Sequence, residues 1–456
     1  MRLLVSCTHN GSLKEIVCNQ DTDTSVQTAR QPFSVKAHMV EDANAKISQL
    51  LSVGGSLVVA RDNGSVELYD CTRVPHTVDS DDVTTDDITA TTDKEEAPVV
   101  LKPMFDITEF ELLSTVSDLL NDTRLENASK KSSMRTKIYD TFVSMHQLPN
   151  NKNVLLLASK SGLVHIISIK KNTLKLIKTH EIIAPLDFAQ IYDNTNSKSV
   201  VFAYGGEENL VKLVKLSANF KELTKIWEAK NVANDRLDMR IPVWPTALKF
   251  LNPQDSNKIE SDKLNYQFVV VTHWSHLAVY QTQHGRKPLE YIDLLLKRDP
   301  LACLEMVGNE KLMTAAGNLK SSDVNDFSFV TTDLKKNVMR FNNKGRLITK
   351  FGKDDIVGSA FFVKTVKGKY LLQGGLDRYV RVFDLESARR IAKVYVTGKC
   401  NNVLMLDDDE VEIPQPPGKG KRAQKKRHQP ENETEQDVEE LWGHLEENGS
   451  RKKTKK

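Results

Sequence analysis

The chain has few of the features that mark zinc proteins, disulfide-rich secreted proteins or membrane proteins. Its 456 residues include only five cysteines, with no paired spacing suited to zinc and no dense disulfide framework. The N-terminal stretch "MRLLVSCTHNGSLKEIV" turns polar too early for a signal peptide, and no apolar run approaches the roughly 20 residues of a membrane helix. We therefore expect an intracellular protein that is neither secreted nor membrane-spanning. The cysteines are Cys7, Cys18, Cys71, Cys303 and Cys400.

A strong excess of charge of either sign is also missing. Charged residues make up 27% of the chain, yet the formal net charge is only +3. Any attraction to nucleic acid must therefore come from local patches. Hydrophobic residues reach 39%, which is enough to build a sizeable core.

Sequence motifs for catalysis are absent as well. The chain has no phosphate-binding loop, no "GxSxG" elbow and no recognisable local Cys and His signature. His273 and His276 in "HWSH" fall in a predicted strand, where residues three apart point to opposite faces and cannot jointly hold a metal. The sequence therefore predicts no enzyme, no catalytic residue, no metal site and no cofactor.

A repeated hairpin pattern is what the chain does contain. Each copy is an apolar strand, a polar turn and an alternating strand, and most copies are spaced at or above the roughly 40 residues of a propeller blade. "LYD" at 68–70 and "VFD" at 382–384 stand where a WD repeat carries Trp-Asp. The pattern predicts an all-β, seven-bladed WD40-like β-propeller over residues 1–406. The hairpins cover residues 3–18, 56–71, 153–170, 199–216, 267–282, 326–342 and 370–385.

Two further strand-like runs follow the last hairpin, at residues 391–396 and 402–406. The second has no partner within its own blade. We predict that it forms the inner strand of the first blade, beside residues 3–7, and so closes the ring.

The double glycines in "YGGEEN" and "QGGLDR" precede strands, whereas a dinucleotide-type phosphate site needs a helix after the glycines. Gly374 and Gly375 are therefore interpreted as residues of tight blade geometry. Asp62 and Asp377 are interpreted as turn residues whose carboxylates accept backbone amides. Four arginines predicted at blade tops remain open between intrablade partners and contacts to RNA phosphates or another protein. They are Arg61, Arg340, Arg378 and Arg381.

Two interruptions separate the second and third hairpins. Residues 77–98 are acidic, rich in Thr and poor in apolar residues, and we expect a disordered insert. Residues 106–128 place Phe110, Leu113, Val116 and Leu120 at helical spacing. This spacing favours a helix packed on the propeller edge, with a partner-binding helix as the alternative.

The composition changes after Leu406, and residues 407–456 are expected to form a disordered tail. A basic run within it suits a nuclear import receptor or RNA phosphates, with a solvated charge run as the alternative. Its members are Lys419, Lys421, Arg422, Lys425, Lys426 and Arg427.

A short helical pattern near residues 437–447 lies between that run and a second basic run. A tryptophan in an otherwise polar tail suggests a docking peptide that folds on its partner. The apolar residues are Val438, Leu441, Trp442 and Leu445.

Several of these elements together resemble the nucleolar WD-repeat ribosome-biogenesis factors of the Nop-seven-associated protein one family. The resemblance rests on "GLDRYVRVFD" and "ELWGHLE", with "RDNGSVELYD" and "LAVYQTQHGRKPL" in support. It implies a non-catalytic scaffold in early nucleolar particles of the large (60S) ribosomal subunit. It further implies pre-rRNA and neighbouring assembly factors as partners, release by an AAA ATPase, and a monomer within the complex. No function is carried onto the acidic insert or the lysine-rich segments.

Two other functions are compatible with the pattern. The chain could be the non-catalytic subunit of a tRNA-modifying enzyme, which stable co-purification with one methyltransferase and no pre-rRNA would favour. It could also be a ubiquitin-ligase substrate receptor or a trafficking scaffold, which a cytoplasmic location insensitive to the basic run would favour.

Overall fold

The computed structural model describes residues 1–8, 11–39, 41–77, 103–129, 138–193, 199–252, 265–320 and 324–413. One compact unit spans Met1–Asp86 and Pro103–Glu412. The second unit, Asp87–Lys102 and Ile413–Lys456, includes only Ile413 among the described residues.

The described residues contain thirty strands, one α-helix and a 3-10 turn at Glu310–Leu312. The helix is α1 (Asp122–Ser129). In chain order the strands are β1 (Arg2–Cys7), β2 (Leu13–Val17), β3 (Thr22–Asp23), β4 (Ser34–His38), β5 (Ile47–Val53), β6 (Ser56–Arg61), β7 (Val66–Thr77), β8 (Met104–Val116), β9 (Phe142–Leu148), β10 (Asn151–Ser159), β11 (Leu163–Lys170), β12 (Thr173–Glu181), β13 (Phe188–Ile191), β14 (Val200–Gly206), β15 (Asn209–Leu216), β16 (Leu223–Glu228), β17 (Pro245–Asn252), β18 (Gln267–Thr272), β19 (His276–Gln281), β20 (Glu290–Asp293), β21 (Leu301–Val307), β22 (Leu319–Lys320), β23 (Ser328–Asp333), β24 (Val338–Asn342), β25 (Leu347–Phe351), β26 (Phe362–Val366), β27 (Tyr370–Gly374), β28 (Tyr379–Asp384), β29 (Arg390–Tyr395) and β30 (Cys400–Asp407).

These strands form seven antiparallel sheets, and the predicted seven-bladed propeller is confirmed. The first strands of successive blades contact one another around a closed ring, so they are the inner strands. Two short strands extend blades in parallel, β22 beside β17 and β3 beside β29. From inner to outer strand, blades 1 to 7 are β30-β1-β2-β4, β5-β6-β7-β8, β9-β10-β11-β12, β13-β14-β15-β16, β17-β18-β19-β20, β21-β23-β24-β25 and β26-β27-β28-β29.

The predicted closure of the ring is also confirmed. β30 pairs with β1 in antiparallel register, with Val403 opposite Val5 and Met405 opposite Leu3. The strand runs one residue past the predicted propeller boundary at 406, and beyond it the Val411 amide donates to Asn19 Oδ1 at 2.8 Å. The propeller therefore extends beyond the predicted boundary, because residues after β30 still bond to blade 1.

The apolar core lies between blades, and each interface has its own cluster. Between blades 1 and 2, for example, Leu4 and Leu13 pack against Ile47 and Val59, all fully buried. Alternating residues of a strand face opposite neighbours, so both faces of a blade are covered. This packing explains the near-continuous apolar character of the central hairpin strands.

A β-bulge recurs in the outer strands of blades 2, 3, 4, 6 and 7. In each, one aliphatic residue of the outer strand has no opposite residue in the third strand, which shifts the register and increases the local twist. The bulged residues are Leu113, Ile177, Ile226, Ile348 and Ile391.

The helix predicted over residues 106–128 was wrong for most of its length. Met104–Val116 is strand β8, paired with β7, and α1 begins only at Asp122. Phe110 packs in the core between blades 1 and 2, whereas Leu113 and Val116 pack between blades 2 and 3. The apparent helical spacing therefore joined residues that lie on opposite faces of a bulged strand.

Candidate functional site

One end of the ring carries both the turns between second and third strands and the connections to the next blade, because strands alternate in direction. Backbone bonds tie each turn to a connection. The Leu334 amide donates to Pro300 O, and the Leu376 amide donates to Ser359 O, both at 3.0 Å. We call this end the connection face. It corresponds to the blade tops, where the sequence predicts all four candidate arginines.

Arg61 lies inside the protein at this face, with 5% of its surface exposed. Its Nε is 2.6 Å from Glu67 Oε2, and its guanidinium donates to Ala45 O at 2.8 Å and Gly11 O at 3.3 Å. Gly11 belongs to blade 1 and Arg61 to blade 2. The side chain therefore joins two neighbouring blades, which favours the internal alternative.

Arg381 is still more enclosed, with 1% of its surface exposed. It donates to Asp355 Oδ2 at 3.1 Å, to Asp355 O at 2.8 Å and to Gln373 Oε1 at 3.0 Å. Asp377 Oδ2 lies 2.7 Å from the same guanidinium. Both terminal nitrogens of Arg381 thus have an internal acceptor, which favours the internal alternative for this arginine as well.

Asp355 is the centre of this charge network. Lys393 Nζ lies 2.7 Å from Oδ1, and Arg390 lies 2.9 Å from Oδ2. Burial would raise the pKa of Asp355, but hydrogen bonds from Lys393 and Arg390 and the charge of Arg381 lower it to about 2. The network ties the connection between blades 6 and 7 to the sheet of blade 7.

The other two candidate arginines, Arg340 and Arg378, differ in burial and in their distance from the connection face. Arg340 lies in β24, away from the connection face, and its largely covered side chain donates to Leu385 O at 3.3 Å and Ser328 Oγ at 3.4 Å. Arg378 is exposed in the turn between β27 and β28, with a positive φ of 63°. Arg378 alone of the four predicted arginines therefore presents an exposed side chain at the connection face.

The predicted turn residues approach neighbouring backbone closely. A Cβ built on Gly375 would lie 2.3 Å from Ser359 O, and one on Gly374 would lie 2.9 Å from Cys400 Cβ. Asp62 Oδ1 accepts a hydrogen bond from the Thr141 hydroxyl at 2.8 Å, where a backbone amide was predicted, whereas Asp377 Oδ1 accepts the Tyr379 amide at 3.4 Å. These residues join turns to the adjacent connections, as the geometry of a tight blade requires.

The two histidines of "HWSH" have separate surroundings. His273 stacks on Trp244 with ring centroids 3.9 Å apart, while His276 is buried with Nε2 3.0 Å from Asp293 Oδ1. Burial lowers the pKa of both rings. Among the described residues, no group of three or more His, Cys, Asp or Glu side chains could hold a metal ion.

None of the helices in the described part of the chain has the length and apolar character needed to cross a membrane.

The connection face carries exposed aliphatic side chains that no sequence pattern predicted. Leu296, Val357 and Leu237 are 103%, 81% and 80% exposed, in three successive connections between blades 4 and 7. Hydrophobic periodicity cannot identify such residues, because a loop has no regular pattern. Their exposure makes this arc a candidate protein contact.

The remaining predicted sites lie outside the described residues. They are the 77–98 insert except Thr77, which ends β7, the basic run Lys419, Lys421, Arg422, Lys425, Lys426 and Arg427, and the docking residues Val438, Leu441, Trp442 and Leu445.

Comparison with known proteins gives strong full-length matches. A protein of Vanderwaltozyma polyspora named ribosome biogenesis protein NSA1 is 50% identical over 422 residues, covering 91% of each chain. A Saccharomyces cerevisiae (strain S288c) protein of the same name is 46% identical over 455 residues, covering 98% of this chain and 97% of the relative. The crystal structure of Saccharomyces cerevisiae Sqt1 aligns with a TM-score of 0.46 and 10% identity, covering 87% of each chain. No protein-family model matches the chain.

Proposed function

The chain belongs to the ribosome biogenesis protein NSA1 family, and from this membership we propose that it is a non-catalytic assembly factor of the large ribosomal subunit. The observation that carries the proposal is 46–50% identity over nearly the whole chain to proteins with that name. In this proposal the protein acts as a scaffold in early nucleolar pre-60S particles during rRNA processing. It works in the nucleus, and an AAA ATPase releases it as the particle matures.

The architecture supports a scaffold. Each blade interface has its own apolar core, and buried ion pairs such as Arg381 with Asp355 tie connections to sheets. A ring of this kind holds several surfaces at set positions, as a particle with pre-rRNA and several protein neighbours requires. The exposed arc of Leu237, Leu296 and Val357 suits a protein neighbour, because desolvating aliphatic side chains stabilises a protein interface.

Depletion of the protein from cells is the direct test of the function. We expect large subunits to fall relative to small subunits and precursors of the large-subunit rRNA to accumulate, because the scaffold is needed before the particle matures. Sucrose-gradient profiles and RNA hybridisation measure both effects. A normal subunit ratio after complete depletion contradicts the proposal.

The C-terminal docking peptide has a separate test. Replacing Leu441, Trp442 and Leu445 by Ala should weaken capture of a release or processing factor at least tenfold, since aromatic and aliphatic anchors dominate binding energy. Affinity capture followed by quantitative mass spectrometry measures the loss, and the thermal melting of the propeller should not change. The matched control replaces Asn432, Thr434 and Gln436 by Ala. Unchanged capture of every partner by the first variant removes the assignment.

A further inference from the structure

Blade 3 differs from the rest of the chain in its charge. Residues 141–180, which include almost all of its four strands, contain six lysines and no aspartate or glutamate. The whole chain, by contrast, balances 64 basic against 61 acidic residues. These 40 residues therefore carry only positive formal charge, unlike the rest of the chain. Whether the lysines lie on one surface depends on the register of the strands.

The register of the outer strands brings three of them together. Lys175 lies opposite Ser168, Lys178 lies opposite Ile166, and Lys170 ends the same strand, β11. Ser168, Ile166 and Lys170 alternate along β11 and therefore share one face. Ile166 belongs to the core between blades 3 and 4, so this face is turned toward blade 4.

The bulge at Ile177 is what makes this arrangement possible. In a regular strand, residues three apart, such as Lys175 and Lys178, would point to opposite faces. The extra residue in β12 places Lys175 and Lys178 on the same face. Lys170 and Lys175 lie on adjacent strands. Alternate residues on a strand are about 7 Å apart, so the backbone positions of the three lysines form a row across two adjacent strands.

Two more lysines extend the row toward the end of the ring opposite the connection face. Lys171 is in the two-residue turn between β11 and β12, where φ is 48° at Lys171 and 62° at Asn172. Lys152, the second residue of β10, is at the same end of the blade, where the pairing of β10 with β9 is irregular between Asn151 and Leu155. All five side chains are exposed, and none forms an ion pair within the described part of the chain.

Acidic residues also lie on the strands around this surface, and two of them are paired. Glu181 pairs with Arg124, and Glu228 of blade 4 lies 2.8 Å from Lys225 and 3.6 Å from Lys212. Glu222, in the adjoining turn of blade 4, is exposed. Glu111 of β8, the blade 2 strand that packs beside β12, is exposed as well. Among the described residues, the five lysines outnumber these two unpaired acids, so the net charge of the surface is positive.

We propose that Lys152, Lys170, Lys171, Lys175 and Lys178, the blade 3 basic surface, bind the phosphate backbone of RNA. The inference rests on the proposed function for the identity of that RNA as pre-rRNA. Residues 143–187 contain no Phe, Tyr or Trp, so the strands that carry these lysines supply no aromatic side chain for stacking on unpaired bases. Lysine ammonium groups are point charges, which suit phosphates without reading a sequence. Binding should therefore be sequence-independent and tolerate base-paired RNA.

The test uses the full chain with Lys152, Lys170, Lys175 and Lys178 replaced by Ala. The control removes four exposed lysines elsewhere, Lys287, Lys336, Lys350 and Lys353, and so changes the net charge equally. Fluorescence anisotropy with a labelled RNA hairpin, repeated across a salt series, measures affinity. Thermal melting should match the wild type for both variants.

We expect the blade 3 variant to bind on the order of 100-fold more weakly at physiological salt, because four phosphate contacts release their counterions. The slope of log affinity against log salt should become shallower by about 3. The control should change affinity by about twofold or less. The basic runs of the tail are present in both variants and contribute equally.

Equal losses in both variants overturn the inference, because net charge alone would then explain them. Unchanged RNA affinity with loss of a protein partner also overturns it, by making the surface a protein interface. These outcomes are separate from the failure of the proposed function. A subunit deficit after depletion, combined with wild-type RNA affinity of the blade 3 variant, rejects only this inference.

Discussion

Deletion of residues 402–406 prevents the chain from folding, according to the pairing of β30. The segment supplies the inner strand of blade 1, where Val403, Leu404 and Met405 lie opposite three residues of β1. Removing it opens the ring and exposes an apolar strand edge. Val403 is also 2% exposed within the core between blades 1 and 7. The loss should exceed the roughly 5–15 kcal/mol that stabilises a typical domain.

Circular dichroism melting and size-exclusion chromatography measure this result. A truncation after Ile413 keeps all of β30 and is the matched control, expected to melt like the full chain. Val403→Asp provides a point variant, since it buries an unpaired carboxylate and should also unfold or aggregate. A deletion protein that is monomeric and melts within a few degrees of the full chain contradicts the closure argument.

Replacing Glu15 by Gln destabilises the protein by roughly 3 kcal/mol at neutral pH, because a buried network loses its central charge. The Glu15 side chain is 0% exposed. It accepts hydrogen bonds from Arg2 at 2.8 Å and from the Thr108 amide at 2.8 Å, and His38 Nε2 lies 3.1 Å away. Thr108 is in β8, so Glu15 joins blade 1 to the long outer strand of blade 2.

The same carboxylate predicts how stability depends on pH. Burial would raise the pKa of Glu15, but hydrogen bonds from His38, Thr108 and Arg2 lower it to about 2. Since the pKa in the unfolded chain is about 4.3, the stabilisation is complete above that value and is lost as pH falls toward 2. The stability difference between wild type and Glu15→Gln should therefore shrink steadily from about pH 5 to pH 2.

Urea unfolding at a series of pH values measures that difference. Other carboxylates with a lowered pKa, such as Asp355, affect both proteins alike and cancel. Glu109→Gln is the control, because Glu109 is next to Thr108 in the same strand but is exposed. A wild-type minus variant difference that stays constant down to pH 2 contradicts the ionised, hydrogen-bonded state of Glu15.

The hairpin series shows how much of the fold the sequence contained. Period-two alternation and turn chemistry are local, so they predicted the blades and even the closing strand at 402–406. For residues 104–116 the secondary structure predicted from local pattern was wrong. Pairing of β8 with β7 outweighed an apparent helical spacing, because tertiary context overrides weak local preference.

Charged residues show even more clearly that local sequence pattern does not predict tertiary contacts. Arg61 and Arg381 were equally compatible with internal pairing and with RNA contact, and only the positions of Glu67, Asp355 and Asp377 decided for burial. These acidic partners lie close to the arginines because the turns of one blade contact the connections between blades. The spacing of residues along the chain does not predict such contacts.

The class of protein, the seven blades and the family were all predictable from residue order, because repeats and motifs are local patterns. The absence of acidic residues from 141–180 is likewise a property of the sequence alone. That Lys170, Lys175 and Lys178 share one exposed face became visible only after folding, since the bulge at Ile177 changes which face of β12 each residue occupies. The physical reason is that charge acts through distance, and distances between strands are set by register and packing.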